Sequence, residues 1–321
     1  MSKPVVILHT DQPGAATAVL AQQHPDLEVH VCGTYEGLMP MLEATGAEVI
    51  YSVRFAGNRG FPRAGLLTSP TLRWLSIGGS GTDHLRPWDA RKLTVTNAAG
   101  VAADMMAEYA IGAMLSFSLG MKAFARAQAE HRWTAGKVEP IAGRTLLILG
   151  LGHTGQATAE RAKAMGLKVI GVRARPASTP HVDEVHGIEA LAGLWGRADF
   201  ILCCVPLLDS TRGLVNAAAF RAMRPGAVLI DVSRGGVVDE AALFDALVSR
   251  RIRGAALDVF ATEPLPAEHP LWDMDNVIIT PHCSSVYDGW ERKSAEMFSA
   301  NLARYRRGEP LGNVVDPVRG Y

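Results

Sequence analysis

The chain has 321 residues, 48% hydrophobic, 7% aromatic and 20% charged. That is length for about two domains and apolar material for a large core, and it excludes intrinsic disorder, which needs low hydrophobicity and high net charge. Lys and Arg together number 32 and so do Asp and Glu, a balance that argues against nucleic acid as a partner. The N-terminal apolar run from Val5 to Leu8 stops at His9, too short for a signal-peptide core. The longest weakly polar stretch, 109–121, is too short for a bilayer that needs about 20 residues, so no membrane partner is expected. Cys32, Cys203, Cys204 and Cys283 show no CxxC spacing. Neither a disulfide framework nor a metal site is expected, and a reducing, cytoplasmic setting is.

In chain order, short β-branched runs alternate with helix-length segments. Strands are expected at Val5–Leu8, Leu27–Val31, Glu48–Val53 and Trp74–Ile77, then at Thr145–Leu149, Lys168–Val172 and Asp199–Cys204. Three more are expected at Ala227–Asp231, Ala255–Leu257 and Val277–Thr280, with helices such as Thr154–Met165 and Asp239–Ser249 between strands. Strands that are apolar throughout predict an α/β fold with parallel sheets covered on both faces. From Ala102 to Arg132 the pattern stays helical for about 30 residues, a reach of about 45 Å that would cross between lobes. A second helical stretch runs from Tyr287 to Arg307. The reading is two Rossmann-like lobes, residues 1–97 with 289–321 and residues 98–288, the second inserted into the first.

Gly150-Leu-Gly152-His153-Thr154-Gly155 places GxGxxG directly after a strand and before a helix. The first two glycines permit a tight turn and close approach of a pyrophosphate, and the third lets the helix pack on the strand. The following helix and second strand complete a dinucleotide-binding unit. At the end of that second strand an NAD site has Asp or Glu, whereas this chain has Arg173 and Arg175. Two guanidinium groups suit a 2′-phosphate, so NADP(H) is the expected cofactor, with NAD(H) possible. The plainer reading is two solvated arginines among the chain's 25.

Arg234, Glu263 and His282 each follow a predicted strand, at the carboxyl ends where open α/β sheets bind ligands. Each alone reads as structural; together they make a hydride-transfer site. In this setting the chain resembles the D-isomer-specific 2-hydroxyacid dehydrogenases, most of all the glyoxylate/hydroxypyruvate reductase branch. The resemblance is carried by Gly79-Ser-Gly-Thr-Asp83, Asn97-Ala-Ala-Gly100-Val, the glycine loop, the run from Met223 to Gly236, Leu257-Asp-Val-Phe-Ala-Thr-Glu-Pro-Leu-Pro and Thr280-Pro-His282. It implies that Arg234 binds substrate, that His282 is the acid/base and that Glu263 is its partner. It further implies that the backbone near Ser80 and Gly81 binds the substrate carboxylate. Asp258 would face the nicotinamide carboxamide, Val205 and Pro206 the adenine side, and Ser233 would also line the cofactor. A homodimer through the cofactor lobe is implied, with the helix beginning near Ala102 as a contact.

The chemistry asks for these residue types. Reduction of a 2-keto acid leaves charge on the carbonyl oxygen, which a protonated His282 quenches while Arg234 offers a planar fork to the acid. Departures from the family pattern are Asp231, where many members have Asn, and Cys283 beside His282, where a bulky thiol reagent would crowd the substrate. The absence of residues after Tyr321 argues against a long, allosteric phosphoglycerate dehydrogenase. The expected activity is NADPH-dependent reduction of glyoxylate or hydroxypyruvate. The alternatives are an NAD-dependent D-lactate, D-glycerate or phosphonate-type dehydrogenase, or a dinucleotide-sensing corepressor-like module without turnover. Side-chain specificity would depend on loops around Val53–Arg59, Trp133 and Tyr287–Trp290.

Overall fold

The computed structural model describes residues 3–53 and 60–320, so most of the Val53–Arg59 loop lies outside the described residues. The chain divides into two compact units, Met1–Val101 with Tyr287–Tyr321, and Ala102–Val286. The borders fall a few residues away from 97/98 and 288/289 because the connecting backbone stays tied to the first unit. Ala98 N–H donates to the Gly79 carbonyl (2.9 Å), Asn313 Nδ2 to that of Ala99 (2.9 Å) and the Tyr287 hydroxyl to that of Val101 (2.9 Å).

The first unit runs β1 (Val6–His9), α1 (Gly14–Gln23), β2 (Val29–Cys32), α2 (Tyr35–Thr45), β3 (Val49–Ser52), α3 (Arg63–Thr68), β4 (Trp74–Ile77) and β5 (Thr94–Asn97). The parallel sheet has the order β2-β1-β3-β4-β5. Alternate residues go to opposite faces, Ile7, Ile50 and Leu75 to one core and Val6, Leu8, Val49 and Trp74 to the other. At the carboxyl ends of β1 and β3, His9 Nδ1 meets Ser52 Oγ at 2.8 Å. Burial pushes that imidazole down to about 4, so at neutral pH it is an uncharged spacer.

The second unit runs α4 (Ala103–Ser118), α5 (Met121–Ala129), β6 (Thr145–Leu149), α6 (His153–Ala164), β7 (Lys168–Val172), β8 (Glu184–His186), α7 (Leu191–Leu194), β9 (Phe200–Cys203), α8 (Ala217–Ala222), β10 (Val228–Asp231), α9 (Glu240–Val248), β11 (Gly254–Leu257) and β12 (Val277–Ile279). Its parallel sheet has the order β12-β11-β10-β9-β6-β7-β8. Leu146 and Ile148 of β6 pack with α4 and α6 on one face, while Leu147 and Leu149 join the core on the other. The single 30-residue helix is not formed. Gly120 adopts φ 65°, a left-handed turn that breaks the stretch between α4 and α5. Two short strands, β5 and β8, escaped the reading because Thr94-Val-Thr-Asn and Glu184-Val-His carry little apolar character.

The last helix, α10 (Trp290–Arg307), returns to the first unit. Its Phe298 ring lies 4.9 Å from that of Tyr51 and 5.1 Å from that of Trp74, and Tyr305 stacks on Trp74 at 5.5 Å. The Trp74 indole donates to Thr96 Oγ1 (2.9 Å), so this aromatic cluster leaves no buried donor idle. Phe298→Ala is expected to cost about 3–5 kcal/mol by removing the centre of that cluster. Urea unfolding checks this; a loss below about 1 kcal/mol would mean that α10 docks through its other contacts.

Candidate active site

The glycine loop lies where the chain reverses its direction across the 102–286 sheet, between β6 and β9. This is the switch point at which doubly wound sheets bind ligands. Gly150 has φ 103°, and a Cβ there would sit 2.9 Å from the Cys204 carbonyl oxygen. A Cβ on Gly155 would fall 2.0 Å from the Gly150 carbonyl oxygen, so only glycine lets α6 start this close to the strand. Gly152 is different: its φ is −78° and nothing lies within 4 Å of where a Cβ would point. Neither backbone nor packing demands glycine there, and the space fits a pyrophosphate drawn against the backbone. The start of α6 has no side-chain cap and no acid in its first turn, leaving its N–H groups for an anion.

His153 is exposed and Thr154 half-buried, its hydroxyl on the Met106 sulfur. Arg173 follows β7, half-buried, and Arg175 is exposed. Among the described residues, no ion pair involves either guanidinium, and no acid stands at the end of β7. Val205 is half-buried beside Gly150, and the Pro206 carbonyl accepts from Thr211 Oγ1 (2.6 Å).

Arg234, Glu263 and His282 all lie beyond the carboxyl ends of neighbouring strands β10, β11 and β12. A Cβ on Gly235 would fall 1.9 Å from the Phe260 carbonyl oxygen, so the Arg234 loop rests directly on the backbone of the Glu263 loop. The Phe260 N–H holds Glu263 Oε1 (3.0 Å), leaving Oε2 on His282 Nδ1 at 2.8 Å. Arg234 Nη1 donates to the Ser233 carbonyl (2.7 Å). His282 sits at φ 52°, a left-handed conformation costing a non-glycine residue roughly 1–2 kcal/mol and held only where neighbours over-determine it. Ser80 is exposed and Gly81 half-buried, in the first unit just beyond β4. The Ser80 carbonyl accepts from Asn97 Nδ2 (2.7 Å).

Asp258, wholly buried, accepts from Thr280 Oγ1 (2.6 Å) and the Cys283 N–H (2.9 Å) on Oδ1, and from the Ser284 N–H (3.0 Å) on Oδ2. Three of its roughly four acceptor positions are therefore taken within the chain. Tyr109 of α4 reaches Thr280 Oγ1 at 2.8 Å. Thr280 was visible in the sequence only as part of a motif, and nothing in an apolar helix singled out Tyr109. Cys283 is exposed, but burial of its sulfur and the charge of Asp258 push the thiol up, which opposes the thiolate that a reactive cysteine needs.

Asp231 accepts the Ser233 N–H (2.9 Å) and hydroxyl (2.5 Å). Burial above all, with the charge of Asp258 adding to it, pushes its carboxyl up to about 7 against the pull of Ser233 and Arg234. A carboxyl raised from 3.8 costs nothing below the unfolded value and destabilises the fold increasingly as pH climbs towards 7, by at most about 4 kcal/mol. Asp231→Asn is therefore expected to raise Tm relative to wild type more at pH 8.5 than at pH 5.5. A pH-independent difference between the two proteins would refute this.

The profile of the D-isomer specific 2-hydroxyacid dehydrogenase NAD binding domain matches residues 111–284. The glyoxylate reductase of Korarchaeum cryptofilum is 32% identical over 261 residues, 77% of each chain. Among solved structures, a D-isomer specific 2-hydroxyacid dehydrogenase from Xanthobacter autotrophicus Py2, in complex with NADPH and MES, is 34% identical with a TM-score of 0.84 and 100% coverage of both chains. The NADPH-dependent glyoxylate/hydroxypyruvate reductase of Sinorhizobium meliloti, in complex with NADP and sulfate, is 29% identical with a TM-score of 0.83 and the same coverage.

Proposed function

Because the chain belongs to the D-isomer specific 2-hydroxyacid dehydrogenase family of oxidoreductases, we propose that it reduces small 2-keto acids of the glyoxylate or hydroxypyruvate type to D-2-hydroxy acids, with NADPH preferred. The observation that carries the chemistry is the 2.8 Å contact between Glu263 and His282. A carboxylate only accepts, so the proton of that contact resides on Nδ1 and Nε2 is left for the substrate. Protonated at Nε2, the imidazole gives its proton to the keto oxygen, and in the reverse direction neutral Nε2 takes it back from the hydroxyl. Glu263, anchored by the Phe260 N–H, keeps the ring oriented and balances its charge. Arg234 holds the keto and carboxylate oxygens. The backbone N–H groups of Ser80 and Gly81 bind the substrate carboxylate, as the resemblance implies.

The cofactor, held at Gly150, Gly152, His153, Thr154, Gly155, Val205, Pro206, Ser233 and Asp258, supplies the hydride when bound. Arg173 and Arg175 grip the 2′-phosphate; the basic end of β7 supports this preference. A homodimer in the cytoplasm completes the reading. Trp133 and Val138, exposed on the 130–140 segment of the second unit, are better placed for a subunit contact than α4, whose apolar residues pack inward.

A panel of 2-keto acids assayed with NADPH and NADH tests this. His282→Ala is expected to lower glyoxylate turnover about 10²–10⁴-fold. The wild type is expected to favour NADPH by about tenfold to a few hundredfold, and Arg173→Asp to shift the preference towards NADH. Near-normal turnover in His282→Ala would sink the mechanism. Equal efficiency with both cofactors would make the two arginines ordinary surface residues.

A further inference from the structure

We propose that Tyr109 and Thr280 are positioning residues for His282, linked to its loop through Asp258. The inference rests on the reading of His282 as the acid/base and adds two residues to the reaction's machinery. His282 occupies a left-handed conformation, and the residues around it carry the bonds that impose it. Asp258 takes Thr280 Oγ1 from one side of His282 and the N–H groups of Cys283 and Ser284 from the other. One buried carboxylate thereby clamps both flanks of a single residue.

The direction of the chain of bonds follows from the proton count. The Thr280 hydroxyl has one proton, and at 2.6 Å it goes to Asp258 Oδ1, which accepts only. Across the 2.8 Å contact with Thr280, Tyr109 must then be the donor. Burial pushes the Tyr109 phenol up to about 12, so it remains a neutral donor at working pH. Tyr109 stands on α4, whose Ala110 and Met114 are fixed in the core under the sheet. The chain Tyr109 → Thr280 → Asp258 thus ties the His282 loop to a rigid helix rather than leaving it to a surface turn. Misplacing a catalytic group by about 1 Å costs on the order of 10²-fold in rate, so such a tie has a measurable effect.

Tyr109→Phe, Thr280→Val, Thr280→Ser and the Tyr109→Phe/Thr280→Val double variant, assayed with glyoxylate and NADPH beside His282→Ala, test the proposal. Thr280→Val is expected to lower kcat about 10–100-fold, with the KM for glyoxylate and the NADPH Kd by fluorescence each moving less than about threefold. Thr280→Ser, which restores the hydroxyl, is expected to recover most of kcat. Tyr109→Phe should lose roughly threefold to tenfold, and the double variant should match Thr280→Val, because Tyr109 acts only through Thr280. If His282→Ala is inactive while Thr280→Val and Tyr109→Phe turn over like wild type, the positioning chain is overturned and the acid/base reading stands. Near-normal turnover in His282→Ala overturns that reading instead. Equal losses in Thr280→Val and Thr280→Ser, or additive losses in the double variant, also overturn the chain.

Discussion

The strands of the 102–286 sheet bury both of their faces, Leu146 and Ile148 towards α4 and α6 and Leu147 and Leu149 towards the opposite core. Polar groups with work to do therefore have a place only beyond the strand ends. That constraint gathers the glycine loop, Arg234, Glu263 and His282 at one end of the sheet, the last three on successive loops. It also makes loop geometry decisive. The loops are held by backbone pressed against backbone, α6 on Gly150 through Gly155 and the Arg234 loop on Phe260 through Gly235. At both contacts a single Cβ would force the loops apart.

Two buried carboxylates lie side by side under this arrangement and meet different fates. Asp258 is surrounded by donors from the segment around His282, so its burial is offset by charge-assisted hydrogen bonds. Asp231, one strand over, has the Ser233 N–H and hydroxyl, and the charge of Asp258 counts against it. The pair concentrates electrostatic strain beside the His282 segment, and perturbed acids cluster in functional sites. An Asn at position 231 would keep an acceptor for the Ser233 contacts without the charge.

The 102–132 stretch shows where pattern reading fails. Apolar periodicity continues across Gly120, yet the backbone turns left-handed there and α5 starts afresh. Helical spacing registers side chains, whereas the break lies in a glycine φ that periodicity cannot report. The same blindness hid β5 and β8, which pair at the sheet edges by backbone hydrogen bonds despite weak apolar character.

What could be read locally was the alternation of apolar runs, the glycine fingerprint and the motifs bearing Arg234, Glu263 and His282. These follow from spacing along the chain, and spacing along a strand or helix turn is short-range physics. The return of α10 to a cluster of Tyr51, Trp74 and Phe298, the link from Tyr109 to Thr280 across 171 positions, and the raised Asp231 carboxyl were not readable in this way. Each depends on which residues share a buried volume. Burial and hydrogen bonding between distant residues exist only once the sheets have assembled, and so the tertiary fold alone decided them.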